Sequence, residues 1–199
     1  MAKIELTPSE MTMLRDILRK HFSELTLEAA FTHRRDFLEF LEKRKEFVED
    51  FIQRLERQLA TGEEEAVSLD RLRKVDFLEG LEEGELQGIA QFFKEEDVAA
   101  GVTLCEEGER ADRLYVLDRG KVSIHSKKGR QYDIDTPGKV VGWSFLMPPF
   151  LYTASATTVT PSKLLVLKSP DFYFLIHKEP KMGMKVISNL AKVIASRLI

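Results

Sequence analysis

Cysteine is almost missing from this chain: Cys105 is the single thiol among 199 residues. One thiol excludes an intrachain disulfide framework and a four-thiolate metal cluster, and such scarcity fits a reducing compartment, so a cytoplasmic location is expected. No run approaches the roughly 18 uninterrupted apolar residues of a membrane span. The opening MAKIELTPSE also lacks the apolar stretch of a signal peptide. Charge of one sign is lacking too: Lys and Arg number 30 against 33 Asp and Glu, giving a net charge of −3 and a pI near 5.9. No broad basic field for a nucleic-acid backbone follows from that balance. Catalytic signatures are missing as well, with no nucleophile elbow in a Ser/His/Asp order, no GxxxxGK[ST], no HExxH and no paired cysteines. An enzyme is not expected. What remains, 43% apolar and 32% charged residues, is the composition of a globular protein with one domain of common size and a smaller appendage.

The first sixty residues carry helical periodicity. Thr7-Pro8-Ser9-Glu10 combines an N-cap, a proline in the first turn and a glutamate at the capping-box position, which predicts a helix from Pro8. Met11, Leu14, Leu18, Phe22 and Leu25 follow at spacings of three and four, and Phe37, Leu41, Val48, Phe51, Leu55 and Leu59 form a second series. The weaker stretch Thr26 to Arg35 holds the bend, so residues 1–62 read as an antiparallel helical hairpin. One bent helix lying against the rest of the chain or a second subunit is the alternative. Thr61-Gly62-Glu63-Glu64-Glu65 breaks the period with a glycine and like charges, the mark of a solvated linker. Ser68 caps the next helical stretch and opens a second domain over 68–199. From Val98 to Lys168 the text turns short, alternating and β-branched, punctuated by Gly101, Gly108, Gly120, Gly129 and Gly138, as in an antiparallel roll. Ser169-Pro170-Asp171 opens a helix that Pro180 ends near Lys178, and Pro180 begins the last one. There Met184, Ile187, Leu190, Ile194 and Leu198 form an apolar seam, widened by Val186, Val193 and Ile199, that calls for a partner. No internal repeat or low-complexity tract is evident.

The run Ala100 to His125, AGVTLCEEGERADRLYVLDRGKVSIH, resembles the β-roll of the cyclic nucleotide-binding domain family, which catabolite-activator-like regulators share with kinase regulatory subunits. The lead-in text Phe77-Leu78-Glu79-Gly80-Leu81 and Glu85 to Ala90 is similar as well, so the likeness covers about residues 70–199. It implies an α+β fold, an antiparallel jelly-roll-like β-roll flanked by helices, here with the N-terminal hairpin and a C-terminal dimerisation helix. A homodimer through that helix is implied, and the hairpin is a candidate surface for a partner protein. Family regulators continue into a winged helix-turn-helix, whereas this chain stops at Ile199, so no DNA-binding domain and no membrane partner are expected.

In such domains the ligand cassette carries a glutamate straight after its glycine, for the ribose hydroxyl, and an arginine about ten residues later, for the phosphate. The matching segment here is GWSFLMPPFLYTASA, Gly142 to Ala156, with Trp143 and Tyr152 at those two places. The candidate site is therefore Gly142, Trp143, Ser144, Phe145, Leu146, Tyr152, Thr153, Ala154 and Ser155. A guanidinium forms paired charge-assisted bonds to phosphate, and a phenol offers one neutral donor. Usual-mode binding of cAMP or cGMP is not expected, and neither is another cofactor. The aromatic rings either plug the hole, leaving a structural dimerisation module, or line a site for a flatter, less charged ligand; ordinary nucleotide sensing is the remaining alternative. A backbone anion nest could persist there, although Pro148-Pro149 removes two N–H donors and reads as a rigid turn. Arg119 and Arg130 are the nearest replacement guanidiniums. Cys105 with His125 matches the thiolate and imidazole of haem sites, but they read better as a core cysteine and a surface histidine. His21 and His33 lack metal-ligand companions, and Arg110 or Arg113 beside Asp112 reads as a surface ion pair.

Overall fold

The capping residues at Thr7 form the expected box: the Thr7 backbone N–H donates to the Glu10 carboxylate at 2.8 Å, and the Thr7 hydroxyl accepts from the Glu10 N–H at 3.3 Å. Helix α1 (Pro8–Phe31) starts there and gives way at Thr32, whose backbone is extended; α2 (Arg35–Leu59) returns along it. The computed structural model describes residues 6–59 and 67–198, and the chain divides into two units, 1–65 and 66–199. The expected linker Thr61 to Glu65 lies outside the described residues.

The first unit is the hairpin, with Phe22, Leu25, Leu41, Val48, Ile52 and Leu55 buried. Here the α2 expectation needs correcting. Phe37 is exposed and Phe51 only half-buried, while Ile52 takes the interior place. The interior seam runs 41, 45, 48, 52, 55, so α2 turns Lys45 inward and leaves its phenylalanines at the edge, where Phe37 stacks on Phe40 at 6.2 Å.

The second unit opens with α3 (Leu69–Leu72), a 3-10 turn (Asp76–Leu78) and α4 (Glu83–Ala90). Ser68 holds the N-cap place of α3 without a side-chain bond. Eight strands follow: β1 (Phe93–Val98), β2 (Thr103–Cys105), β3 (Arg113–Arg119), β4 (Val122–His125), β5 (Gln131–Ile134), β6 (Val140–Val141), β7 (Ser155–Thr158) and β8 (Ser162–Lys168). They form two antiparallel four-stranded sheets, ordered β1-β8-β3-β6 and β2-β7-β4-β5. The roll thus begins at Phe93, five residues before the alternation at Val98. β1 is an edge strand whose Lys94 to Asp97 all face solvent, so charge masks its period, as edge strands often do. In β3 and β8, residues 114–117 and 164–167 are buried without alternation, because both faces are covered.

Gly138 fastens the lead-in segment to the roll. It has φ +88°, its carbonyl accepts from the Asp76 N–H at 3.1 Å, and a Cβ there would fall 1.8 Å from the Lys74 carbonyl oxygen. Helix α5 (Ser169–Lys178) begins one residue earlier than expected, with Lys168 at the cap; the Ser169 N–H is already held by the Asp112 carbonyl at 2.7 Å. Helix α6 (Pro180–Leu198) packs on the 3-10 turn, where Asn189 donates to the Glu79 carbonyl at 2.7 Å, and its Lys185 pairs with Glu85 of α4 at 2.9 Å. Leu190, expected in the dimer seam, is 1% exposed: it shares the inward face with Met182 and Val186. Met184 and Ile187 are the exposed seam residues, Ile194 is half-buried, and the Leu198 side chain and Ile199 lie outside the described residues.

Candidate functional site

The cassette starts at Gly142 because the backbone there is left-handed and crowded. Its φ is +84°, and a Cβ would lie 3.2 Å from the Arg113 carbonyl oxygen and 3.3 Å from a ring carbon of Tyr152. One 3-10 turn, Trp143–Leu146, follows. It sends Phe145 inward, edge-on to Phe172 with ring centroids 5.3 Å apart, while the Tyr173 hydroxyl donates to the Phe145 carbonyl at 2.8 Å. Beyond a cis Pro148–Pro149 bond and Phe150 at φ +60°, the chain is laced to the loop before β3. The Ala111 N–H donates to the Phe150 carbonyl at 2.8 Å, the Tyr152 N–H to Glu109 at 2.9 Å and the Gly108 N–H to Tyr152 at 2.9 Å. The rigid turn read from the two prolines is thus carried by backbone bonds.

Tyr152, standing where the family arginine is expected, is buried at 5% exposure, and its hydroxyl donates to the Arg113 carbonyl at 2.9 Å. Burial, reinforced by the Asp112 carboxylate, pushes its phenol well above the ordinary tyrosine range, so the ring is a neutral donor spent on the protein itself. Asp112 is in turn gripped by Arg113 at 2.9 Å, which holds its carboxyl below the usual range despite partial burial. This is the expected ion pair. Tyr115 repeats the Tyr152 pattern, donating to the Leu104 carbonyl at 2.8 Å, with burial pushing it up to about 12.

What is left beside Tyr152 is a cavity of about 60 Å³. Sites for drug-sized ligands run to roughly 300–1,000 Å³. Six of the expected site residues line it: Gly142, Trp143, Ser144, Tyr152, Thr153 and Ala154. Phe145 turns into the core, the Ser155 hydroxyl accepts from the Glu107 N–H at 2.9 Å, and Leu146 is not among the lining residues. Arg197, a residue the sequence reading did not single out, lines it from the last turn of α6. Its guanidinium carbon sits 4.7 Å from the Trp143 ring centroid, it donates to the Val140 carbonyl at 2.6 Å, and it faces Asp76 at 4.0 Å. Arg119 and Arg130 are not among the lining residues.

Cys105 lines the same cavity with Ile124 and Ala156, its partners across β2, β7 and β4, and burial pushes its thiol up to about 11. His125, next along β4, points to the other face by strand alternation and is exposed, so thiol and imidazole do not share a space. Among the described residues no group of three or more His, Cys, Asp or Glu side chains could hold a metal ion. No described helix is long and apolar enough to cross a membrane.

Residues 95–179 match the sequence profile of the Cyclic nucleotide-binding domain family. The CRP-like cAMP-activated global transcriptional regulator of Mycobacterium tuberculosis is 26% identical over 125 residues, covering 61% of this chain and 56% of the relative. The chain thus spans little more than half the length of that relative. Among solved structures, a candidate cyclic nucleotide-binding protein of Geobacter metallireducens GS-15 superposes with a TM-score of 0.59 at 26% identity, covering 67% of this chain and 99% of the other. The Catabolite Activator Protein of Thermus thermophilus superposes with a TM-score of 0.52 at 27% identity, over 62% and 58%. Two four-stranded antiparallel sheets, flanking helices and the profile match agree: the second unit of this chain is a cyclic nucleotide-binding-like β-roll, similar to that of the catabolite-activator type.

Proposed function

We propose that this chain is a non-enzymatic regulatory protein whose nucleotide-binding-like domain does not hold cAMP or cGMP in the usual mode. One observation carries the reading: the Tyr152 ring is packed against Gly142 with its hydroxyl committed to the Arg113 carbonyl, and only about 60 Å³ of space remains. The phenol occupies the place where the family resemblance puts the phosphate-gripping arginine. Two charge-assisted bonds of about 1.5–3 kcal/mol each are then missing, a loss of roughly a hundred- to ten-thousand-fold in affinity. The exposed Met184 and Ile187 on α6 support a homodimer through that helix, and the hairpin is offered as the surface for a partner protein.

Titration of the full chain with fluorescently labelled cAMP and cGMP tests the reading. The expected result is no saturation below about millimolar ligand. Micromolar binding of either nucleotide overturns it. A Trp143→Glu/Tyr152→Arg double variant, restoring the two family residues, is expected to gain measurable cAMP affinity over wild type. No gain would mean that features beyond these two rings close the site.

A further inference from the structure

We infer that the cavity beside Trp143 is a site for a small oxyanion, and that its cation is Arg197, delivered by α6 and not by the cassette. The inference rests on the reading above, in which the usual nucleotide mode is lost.

Size sets the ligand class. A single ordered water needs roughly 10–15 Å³, and the cavity of about 60 Å³ is large enough for a small polyatomic group. A phosphate or short carboxylate fits. Charge sets the sign. Arg197 is the cation on the wall, and a guanidinium has five N–H donors in a planar fork. Its hydrogen bond goes to the Val140 carbonyl, and the Asp76 carboxylate at 4.0 Å stands beyond hydrogen-bond distance. Asp76 is moreover shared with Lys139 at 3.7 Å, so it neutralises Arg197 only in part. Two hydroxyls complete the wall. Ser144 and Thr153 both line the cavity, and neither hydroxyl has a protein hydrogen-bond partner among the described residues. The Trp143 ring beneath the guanidinium holds the fork in place without consuming its donors.

The arrangement differs from the family pattern in where the gripping residue sits. An arginine inside the cassette reports an anion to the cassette first. Arg197 lies on the last turn of α6, so an anion that recruits its donors acts directly on the helix that carries the exposed seam.

Trp143 is the sole tryptophan of the chain and therefore a built-in reporter. The experiment is a fluorescence titration of the full chain at pH 7 and constant ionic strength, with sodium phosphate in one arm and sodium acetate in the other. A saturable change in either arm, in roughly the millimolar range, is expected; phosphate alone identifies a tetrahedral ligand, acetate alone a planar carboxylate. Arg197→Gln should weaken the response by about tenfold or more, and Arg197→Lys, which keeps the charge without the fork, by less. Circular dichroism confirms that each variant is folded, and Ser144→Ala provides a lesion away from α6 with a smaller loss. Absence of saturation in both arms, or an undiminished response in folded Arg197→Gln, overturns the inference. A parallel cAMP arm keeps the two ideas apart: saturation by micromolar cAMP sinks the preceding reading, while phosphate and acetate alone decide this one.

Discussion

The hairpin and the roll both bury polar side chains, but of different kinds. In the hairpin the buried groups include cations with carboxylate partners: Arg19, 6% exposed, meets Glu56, and Lys45, also 6% exposed, meets Glu42 at 3.2 Å. Around the cassette the buried groups are protonated and neutral, with carbonyl partners: Tyr152 to Arg113, Tyr115 to Leu104, and the Cys105 thiol near the Ala154 carbonyl. Asp171, in α5, is the roll's buried carboxylate. The difference is chemical. A buried charge demands its counter-charge and is costly to orphan, whereas a neutral hydroxyl needs one acceptor and holds its place only while it keeps its proton. The residues around the candidate cassette make a site of the second kind.

The largest expected effect tests the hairpin side. Arg19→Met leaves Glu56 half-enclosed without its partner, and should cost about 3 kcal/mol of unfolding free energy, read from the helix ellipticity transition in urea. Arg19→Met combined with Glu56→Leu should recover most of that loss, because an apolar pair of similar volume no longer strands a charge. Equal losses in single and double variants would show that the pair is not what Arg19 contributes, and the contrast with the roll would fall.

The sequence exposed these two regions unevenly. The hairpin was legible through spacing alone, since helix period and the Thr7 box are local properties. Its second helix was phased wrongly at Phe51 because hydrophobicity does not decide which edge of a stripe faces the partner helix; Ile52 takes the interior place and Phe51 stays at the edge. In the roll, β1 was hidden by its row of solvent-facing charges. The candidate cassette was read from the family resemblance and not from periodicity, and that resemblance placed Trp143 and Tyr152 where a glutamate and an arginine are expected. The inward turn of Phe145, the tie from Ser155 to Glu107 and the arrival of Arg197 were not visible, because each depends on a partner distant in the chain. Arg197 in particular sits at the end of a helix whose seam suggests only dimerisation, and no local pattern marks it for the cavity.

A second, smaller effect distinguishes the regions by pH. Burial raises the Cys105 thiol from 9.0 to about 11, so the folded roll keeps a proton that the unfolded chain has already released. The folded state binds more protons in that window, and stability must fall as pH rises. The contribution is complete below about pH 9 and is lost as pH approaches about 11, on the order of 2 kcal/mol. Unfolding free energies of wild type and Cys105→Ala, measured from pH 8 to 11, should therefore converge or cross toward alkali, since alanine has no proton to lose. The tyrosines titrate in both proteins and largely cancel in the difference. Parallel curves would mean that the thiol is not the titrating group that separates roll from hairpin.

The smallest expected effect falls on the cassette itself. Tyr152→Phe keeps the ring that fills the site and removes only the hydroxyl, whose shortest bond is to the Arg113 carbonyl at 2.9 Å, with longer contacts to the Arg113 N–H at 3.4 Å and Asp112 at 3.5 Å. A neutral hydrogen bond of this kind contributes about 1 kcal/mol, measurable as a shift in the urea midpoint. Cavity volume is nearly unchanged, so cyclic nucleotide affinity should not rise, and phosphate or acetate titration through Trp143 should keep its midpoint, because Arg197 and not the phenol meets the anion. A gain in nucleotide binding from this single oxygen would show that the hydroxyl, and not the ring, keeps the ligand out. The neutral plug would then act as a latch that opens when one bond is cut, instead of as a permanent replacement of the charged grip.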